Sequence, residues 1–295
     1  MHLSRSRTEH IRSGFFRSIF FLALSTLSVL AACRLRVRGN SPAPTPAWTL
    51  VWSDEFNGHG SSTPDSSKWT YDLGGGGWGN RELETYTNRR ANVEIEKGNL
   101  VIAARKETFA GRDGIAREFT SARLKTEGKF AQSYGRVEAR IKIPRGQGIW
   151  PAFWMLGDDF STAGWPKCGE IDIMENIGRE PGIIHGSLHG PSDAAKTSDL
   201  TSSFSLPTGQ NFADAFHVYA IEWEPDTIRF YVDSSNYATF TKAQLPQGGR
   251  WVFDHPFFII LNVAVGGAWP GSPDASTQFP QKMLVDYVRV FRKNP

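Results

Sequence analysis

Three carboxylates, Glu170, Asp172 and Glu175, fall within the run Glu170-Ile171-Asp172-Ile173-Met174-Glu175. Its isoleucines, with Gly169 and Gly178 on either side, favour a β-strand. Strand side chains alternate between faces, so Glu170 and Asp172 share one face, and Glu175, an odd number of positions away, should point to the other. A β-bulge near Ile173-Met174 returns Glu175 to the face of its partners, and bulges gather beside active sites because they re-aim a side chain. A helix does worse, since at about 100° per residue Glu170 and Glu175 would lie roughly 140° apart. Two carboxyl groups converging on one cleft can cleave a glycosidic bond: one attacks the anomeric carbon, the other protonates the leaving oxygen. Asp172, between them, would hydrogen-bond one glutamate and fix its orientation. At the rise of a strand the Cα atoms of Glu170 and Glu175 stand on the order of 13 Å apart, so convergence demands a strongly curved, concave sheet. On these residues alone, a solvated strand face or a metal site built from the same carboxylates stays open as the alternative.

The rest of the chain can supply such a sheet. In Arg136-Val137-Glu138-Ala139-Arg140-Ile141-Lys142-Ile143 the odd positions are apolar and the even ones charged, the pattern of a half-buried strand. Similar runs are Thr49 to Phe56, Asn99 to Lys106, Phe216 to Trp223, Thr227 to Val232 and Lys282 to Phe291, while Phe257 to Val265 is continuously apolar and reads as a central strand covered on both faces. Turn residues separate these runs and no long amphipathic helix competes. The expected fold is all-β: an antiparallel β-sandwich of the jelly-roll, concanavalin A-like kind with a concave cleft. Trp78 follows Gly74-Gly75-Gly76-Gly77, Trp150 and Trp154 bracket Pro151-Ala152-Phe153, and Trp269 lies between Gly266-Gly267 and Pro270-Gly271. Indoles in such places stack on the apolar C–H faces of sugars, or else plug the ends of a sandwich.

At 295 residues the chain can form one large domain. Arg5, Arg7, Arg12 and Arg17 precede an apolar stretch from Ile19 to Ala32, too short to span a bilayer and shaped like a signal peptide. It ends Leu30-Ala31-Ala32-Cys33, which resembles a bacterial lipobox and makes Cys33 a candidate for lipidation; cleavage after small residues is the plainer reading. The expected organisation is a leader over residues 1–33, a Pro-rich tether over 34–47 and a catalytic domain over 48–295, exported and held to a membrane only through that lipid. Residues 1–38 carry seven arginines and one glutamate, a net of +6 that leaves −3 for the remainder of a chain whose formal charge is +3. The basic balance therefore belongs to the leader and tether, which argues against a nucleic-acid partner. Only Cys33 and Cys168 are present, so no disulfide framework is expected, and Cys168 should behave as a small buried hydrophobe.

Several ordered motifs carry a resemblance: Trp52-Ser53-Asp54-Glu55-Phe56, Trp78-Gly79-Asn80-Arg81-Glu82-Leu83-Glu84, Tyr134 to Arg140, Trp150 to Leu156, Gly169 to Gly178, and Val263 to Gly271. From about Trp48 to its end the chain resembles glycoside hydrolase family 16, in the laminarinase-like branch of endo-β-1,3-glucanases. The bulged spacing is that of the laminarinase-like and agarase-like branches, whereas lichenases of the family keep an unbulged strand. The resemblance implies Glu170 as nucleophile, Glu175 as acid/base and Asp172 as the assisting carboxylate, with no cofactor in catalysis. It further implies Asn80 and Arg123 as sugar hydrogen-bonding residues, Trp150, Trp154 and Trp269 as cleft aromatics, and His189 as a histidine near the catalytic pair. Glu84 and Ala268 stand where relatives often have an amide. The expected partner is a β-glucan polysaccharide bound by a monomer; other retaining activities on the same scaffold, or a carbohydrate-binding protein without catalysis, are the rivals.

One further carry-over concerns a structural calcium. The alternation in Leu284-Val285-Asp286-Tyr287-Val288-Arg289-Val290 puts Asp286 on the face of Leu284, Val288 and Val290, where a carboxylate needs a partner. The resemblance implies calcium held by Asp286, Glu55 and the backbone near Gly98. An ion pair with a nearby arginine is the alternative.

Overall fold

Alternating apolar and polar residues build nearly all of the folded chain. The computed structural model describes residues 47–58 and 62–295. The leader, Cys33 and residues 34–46 of the tether lie outside the described residues. In chain order the strands are β1 (Trp48–Asp54), β2 (Thr70–Asp72), β3 (Glu84–Tyr86), β4 (Val93–Glu96), β5 (Asn99–Ala110) and β6 (Ala116–Ser121). Next come β7 (Arg123–Lys125), β8 (Gly135–Lys142), β9 (Ile149–Gly157), β10 (Glu170–Glu175), β11 (Ile183–Gly190) and β12 (Ser198–Ser205). The last are β13 (His217–Glu224), β14 (Thr227–Val232), β15 (Ser235–Thr241), β16 (Phe257–Val265) and β17 (Gln281–Lys293). Among the described residues, helix is confined to short turns such as Phe160–Ala163, and none is long and apolar enough to cross a membrane.

The strands form two sheets. One has ten strands along the order β15-β14-β13-β8-β17-β5-β6-β3, with β1 added to β17 and β4 to β5; the other has seven in the order β12-β11-β10-β9-β16-β7-β2. Every pairing is antiparallel except β3 with β6, so the expected sandwich is the architecture found. Its core joins the inward faces: Val137, Ala139 and Ile141 of β8 meet Ile259, Leu261 and Val263 of β16 and Ile171 of β10 in one cluster. All nine residues of β16 are buried, as its unbroken apolar run requires. Its other face is covered by Leu156, Cys168 and Trp154, which pack with Phe258 and Ile260. Cys168 is thus a buried free thiol, and burial pushes its pKa up to about 11.

Two glycines flanking β10 fix its ends. Gly169 sits at φ +75°, where a side chain is strained and would press on Phe257. At Gly178 a Cβ would lie 1.6 Å from the carbonyl oxygen of Gly146, so the backbones of the two loops touch.

Candidate active site

Strand β10 carries the bulge that its spacing calls for. Its register against β9 shifts between Asp172 and Met174, and against β11 between Asp172 and Glu175. Ile171, Ile173 and Met174 all enter the core; two successive inward residues are what turn Glu175 outward again. Glu170, Asp172 and Glu175 consequently line one cleft, together with Trp78, Asn80, Glu82, Arg123, Trp150, Trp154 and Asn262. A single register row crosses the sheet beneath it: Arg123 on β7, Asn262 on β16, Ala152 on β9, Glu175 on β10 and His185 on β11. The small side chain of Ala152 leaves the space beside Glu175 open. Trp150 and Trp154, four apart on β9, stand on the same face. Their indole N–H groups donate to Glu175 Oε1 at 2.9 Å and to Asn262 Oδ1 at 2.7 Å.

A second row aligns Glu170, His189 and Asp199 on β10, β11 and β12. His189 Nε2 lies 3.1 Å from Asp172 Oδ2, and its Nδ1 lies 2.7 Å from Asp199 Oδ1. Burial alone would favour the neutral ring, but the bond and charge of Asp172, with Glu170 and Asp199 adding to them, raise its pKa to about 10. His189 is therefore a cation at neutral pH. Burial, and then the Asp172 charge, push Glu170 up, and His189 is the first influence that holds it down. Burial pushes Glu175 well above the carboxylate range, with Asp172 and then Glu170 adding to it, while a bond from Trp150 opposes. Protons leave such a cluster in steps that belong to the group. Burial and two carboxylate neighbours favour the protonated form of Glu175.

The remaining expected residues are placed as follows. Asn80 lines the cleft and donates to Glu82 Oε1 at 3.4 Å. Arg123 pairs with Asp72 at 2.9 Å and lays its guanidinium over Trp154 and Trp78, 4.6 and 5.3 Å from the ring centres. Trp269 packs edge-on to Trp150, with ring centres 5.4 Å apart. Trp78, in the glycine-rich loop, adopts φ 46°, an uncommon backbone state for a non-glycine residue, and aims its ring at the cleft. Three residues of this neighbourhood had escaped the sequence reading as site members: Glu82, Asn262 and Asp199. Asn262 had a signal, as the lone amide in an apolar strand. Asp199 had none, because only the pairing of β11 with β12 brings it to His189.

The residues expected to hold calcium are placed differently from what strand alternation suggests. The register of β17 slips between Val285 and Tyr287, so Asp286 leaves the face of Val288 and Val290 and turns outward. There it pairs with Arg140 Nη1 at 2.7 Å. Glu55 accepts two bonds from Arg289, at 3.0 and 2.7 Å, and Gly98 lies at φ 73° in the turn between β4 and β5. Both carboxylates are neutralised by guanidinium groups, so this donor set does not fit calcium, which needs uncommitted oxygens. The cluster Glu170, Asp172 and His189 is compact enough for a metal. His189 lies between Asp172 and Asp199, at 3.1 and 2.7 Å, so the group also has the geometry of a hydrogen-bonded chain.

Comparison with known proteins bears on what these carboxylates do. Residues 80–289 match glycosyl hydrolases family 16. The chain belongs to this family. It is thus a glycoside hydrolase. It is 46% identical over 275 residues to a β-glucanase of Rhodothermus marinus, covering 90% of this chain and 92% of the relative. Its fold is similar to the laminarinase catalytic domain from Thermotoga maritima, with a TM-score of 0.77 and 47% identity over 84% of this chain and 99% of that one. An endo-β-1,3-glucanase from Pyrococcus furiosus gives a TM-score of 0.77 and 50% identity, covering 84% and 95%. In a family 16 hydrolase, one face of a strand bearing three carboxylates and flanked by indoles has the makings of a catalytic cleft for polysaccharide.

Proposed function

We propose that this family 16 hydrolase is an endo-acting, retaining 1,3-β-glucanase on laminarin-type glucans, with Glu170 as nucleophile and Glu175 as acid/base. The observation that carries the reading is the bulge at Ile173-Met174, which turns Glu175 onto the cleft of Glu170 and Asp172. The names of the relatives, laminarinase and endo-β-1,3-glucanase, support the linkage. Trp150 and Trp154 offer apolar rings to the faces of glucosyl units, and Asn80 and Arg123 offer N–H donors to their hydroxyls.

In the first step the ionised Glu170 attacks the anomeric carbon while the Glu175 proton passes to the glycosidic oxygen. The C1–O bond breaks, the leaving chain departs as an alcohol, and the glucosyl unit is held as an ester on Glu170. Esterification removes the Glu170 charge, so the pKa of Glu175 falls and its carboxylate can take a proton from water. That water attacks the same carbon and releases Glu170 with the anomeric configuration retained. The positive charge of His189 opposes burial and Asp172 and so favours the ionised form of Glu170. No step calls on a cofactor.

Chromatography of laminarin digests at low conversion tests the endo-action and linkage. Several oligosaccharide sizes should appear early, with mixed-linkage glucan cut more slowly and carrageenan untouched. A single product size, or agarose preferred to laminarin, would overturn the assignment. Upstream, the arginine-rich start and Leu30-Ala31-Ala32-Cys33 support export with lipid attachment at Cys33; partition with bacterial membranes that survives Cys33→Ser unchanged would refute it.

A further inference from the structure

A second carboxylate pair, Glu82 at the cleft wall and Glu84 sealed behind it, takes no part in the chemistry above. Glu82, Glu84 and Tyr86 alternate along one face entering β3. Glu84 has no solvent exposure. Its Oε2 accepts the backbone N–H of Val265 at 2.7 Å, but no donor reaches its Oε1. Glu82 stands beside it with both oxygens engaged: Asn80 Nδ2 donates to Oε1 at 3.4 Å and the Tyr86 hydroxyl to Oε2 at 3.0 Å. The Tyr86 oxygen in turn accepts from Asn262 Nδ2 at 3.1 Å, and Asn262 Oδ1 accepts from Trp154 Nε1 at 2.7 Å. Tyr86 also packs on Trp78, ring centres 5.4 Å apart. One chain of bonds therefore runs from Glu82 through Tyr86 and Asn262 to the indole of Trp154, with Asn80 joined to it at Glu82 and Trp78 packed on Tyr86.

An acceptor oxygen sealed from water with no donor is costly, and two carboxylates side by side there are costlier. One proton removes both penalties, because Glu84, carrying it on Oε1, becomes a donor to Glu82. We infer that Glu84 is a positioning residue for sugar binding: it shares a proton with Glu82, and the pair, through Tyr86 and Asn262, holds Trp154 and Asn80 in the orientation that receives the glucan chain. The role rests on the glucan-binding reading of this cleft. Burial, and then the Glu82 charge, raise the Glu84 pKa well above the carboxylate range. The other groups facing the pair are Tyr86, whose hydroxyl is also pushed up by burial, and Arg123 from β7, which opposes that rise and is itself held by Asp72. Loss of the shared proton leaves two like charges in contact, and Glu82 must then give up the bonds that orient Tyr86 and Asn80.

The test compares wild type with Glu84→Gln, whose amide donates permanently and cannot ionise. In the wild type, KM for laminarin should rise about three- to tenfold as the pair ionises, the worth of one or two hydrogen bonds. In Glu84→Gln, KM should stay flat over the same pH range while the two kcat profiles keep the same shape. Tyr86→Phe, which cuts the relay, should show a raised KM with little pH dependence. Superimposable KM profiles for wild type and Glu84→Gln would overturn the assignment. A readout independent of substrate separates this from failure of the functional reading: the infrared difference between wild type and Glu84→Gln at neutral pH should contain the C=O stretch of a buried protonated carboxyl. Its absence would refute the shared proton whatever polysaccharide the protein cleaves.

Discussion

On the outer face of the ten-stranded sheet, Glu55 is clasped by Arg289, Asp286 by Arg140, and Glu138 and Glu222 by Arg136. In the cleft of the seven-stranded sheet, Glu175 takes a hydrogen bond from the indole of Trp150 instead, and Glu170 has the His189 imidazole rather than a guanidinium to oppose its burial. The same residue types thus titrate in opposite directions. The Arg289 hydrogen bond outweighs burial and lowers the Glu55 pKa, whereas burial without a guanidinium raises those of Glu170 and Glu175. The outer face cancels its charges as it makes them. The cleft keeps carboxyl groups able to hold and release protons near neutrality, at a cost in folding free energy that the large core offsets. Carboxylates without a guanidinium partner, rather than carboxylates as such, mark the working face.

The sharpest way to break this contrast is to remove the two glutamates. Glu170→Gly and Glu175→Ala should each lower hydrolysis of natural glucan by at least about a thousandfold, the scale of a lost nucleophile or general acid. Glu170→Gly should still couple α-glucosyl fluorides, and Glu175→Ala should regain activity with azide on activated substrates. Substantial glucan hydrolysis by clean Glu170→Gly protein would remove Glu170 from the mechanism.

A smaller effect is expected at the one cation of the cluster. His189 holds Glu170 down, so His189→Gln should let the Glu170 pKa rise and move the acid limb of kcat/KM to higher pH. The loss in kcat should be about tenfold or more, as for a removed electrostatic stabiliser. Asp199→Asn should move the same limb in the same direction by less, because Asp199 contributes to the His189 charge without touching the carboxylates. An acid limb unmoved in His189→Gln would show that its charge does not reach Glu170.

The smallest effects belong to the outer face. Glu55→Gln and Asp286→Asn break partly exposed ion pairs and should each cost no more than about 1 kcal/mol of stability, with kcat unchanged. A chelator should leave the melting curve of the wild type where it was. A melting temperature that drops on chelation and recovers with added calcium would restore the metal at Glu55, Asp286 and Gly98.

Much of this contrast is written in local sequence, and part of it is not. The alternating strands β8 and β14 and the continuously apolar β16 lie within a residue or two of where their patterns place them, because the apolar pattern reports directly which faces are buried. The bulge in β10 was legible because three carboxylates at odd spacing have only one economical explanation. The bulge in β17 was not, since Asp286 is a lone polar residue among apolar ones, and a regular strand accounts for it equally well until the register slip is seen. Strand β12 reads Ser198-Asp199-Leu200-Thr201-Ser202-Ser203-Phe204-Ser205 and looks like a polar loop; pairing with β11 along its length makes it a strand. Hence Asp199 was invisible, whereas Glu170, Asp172 and Glu175 were not: long-range pairing, unlike periodicity, leaves little trace in a single sequence.

The central claim is that Glu170 and Glu175 act as a nucleophile and an acid/base on one carbon. Proton NMR of a laminarin digest in its first minutes, before mutarotation, reads the outcome directly. Two successive displacements at that carbon predict the β-anomer as the first-formed reducing end. First appearance of the α-anomer would mean a single displacement by water, and would contradict Glu170 as the nucleophile.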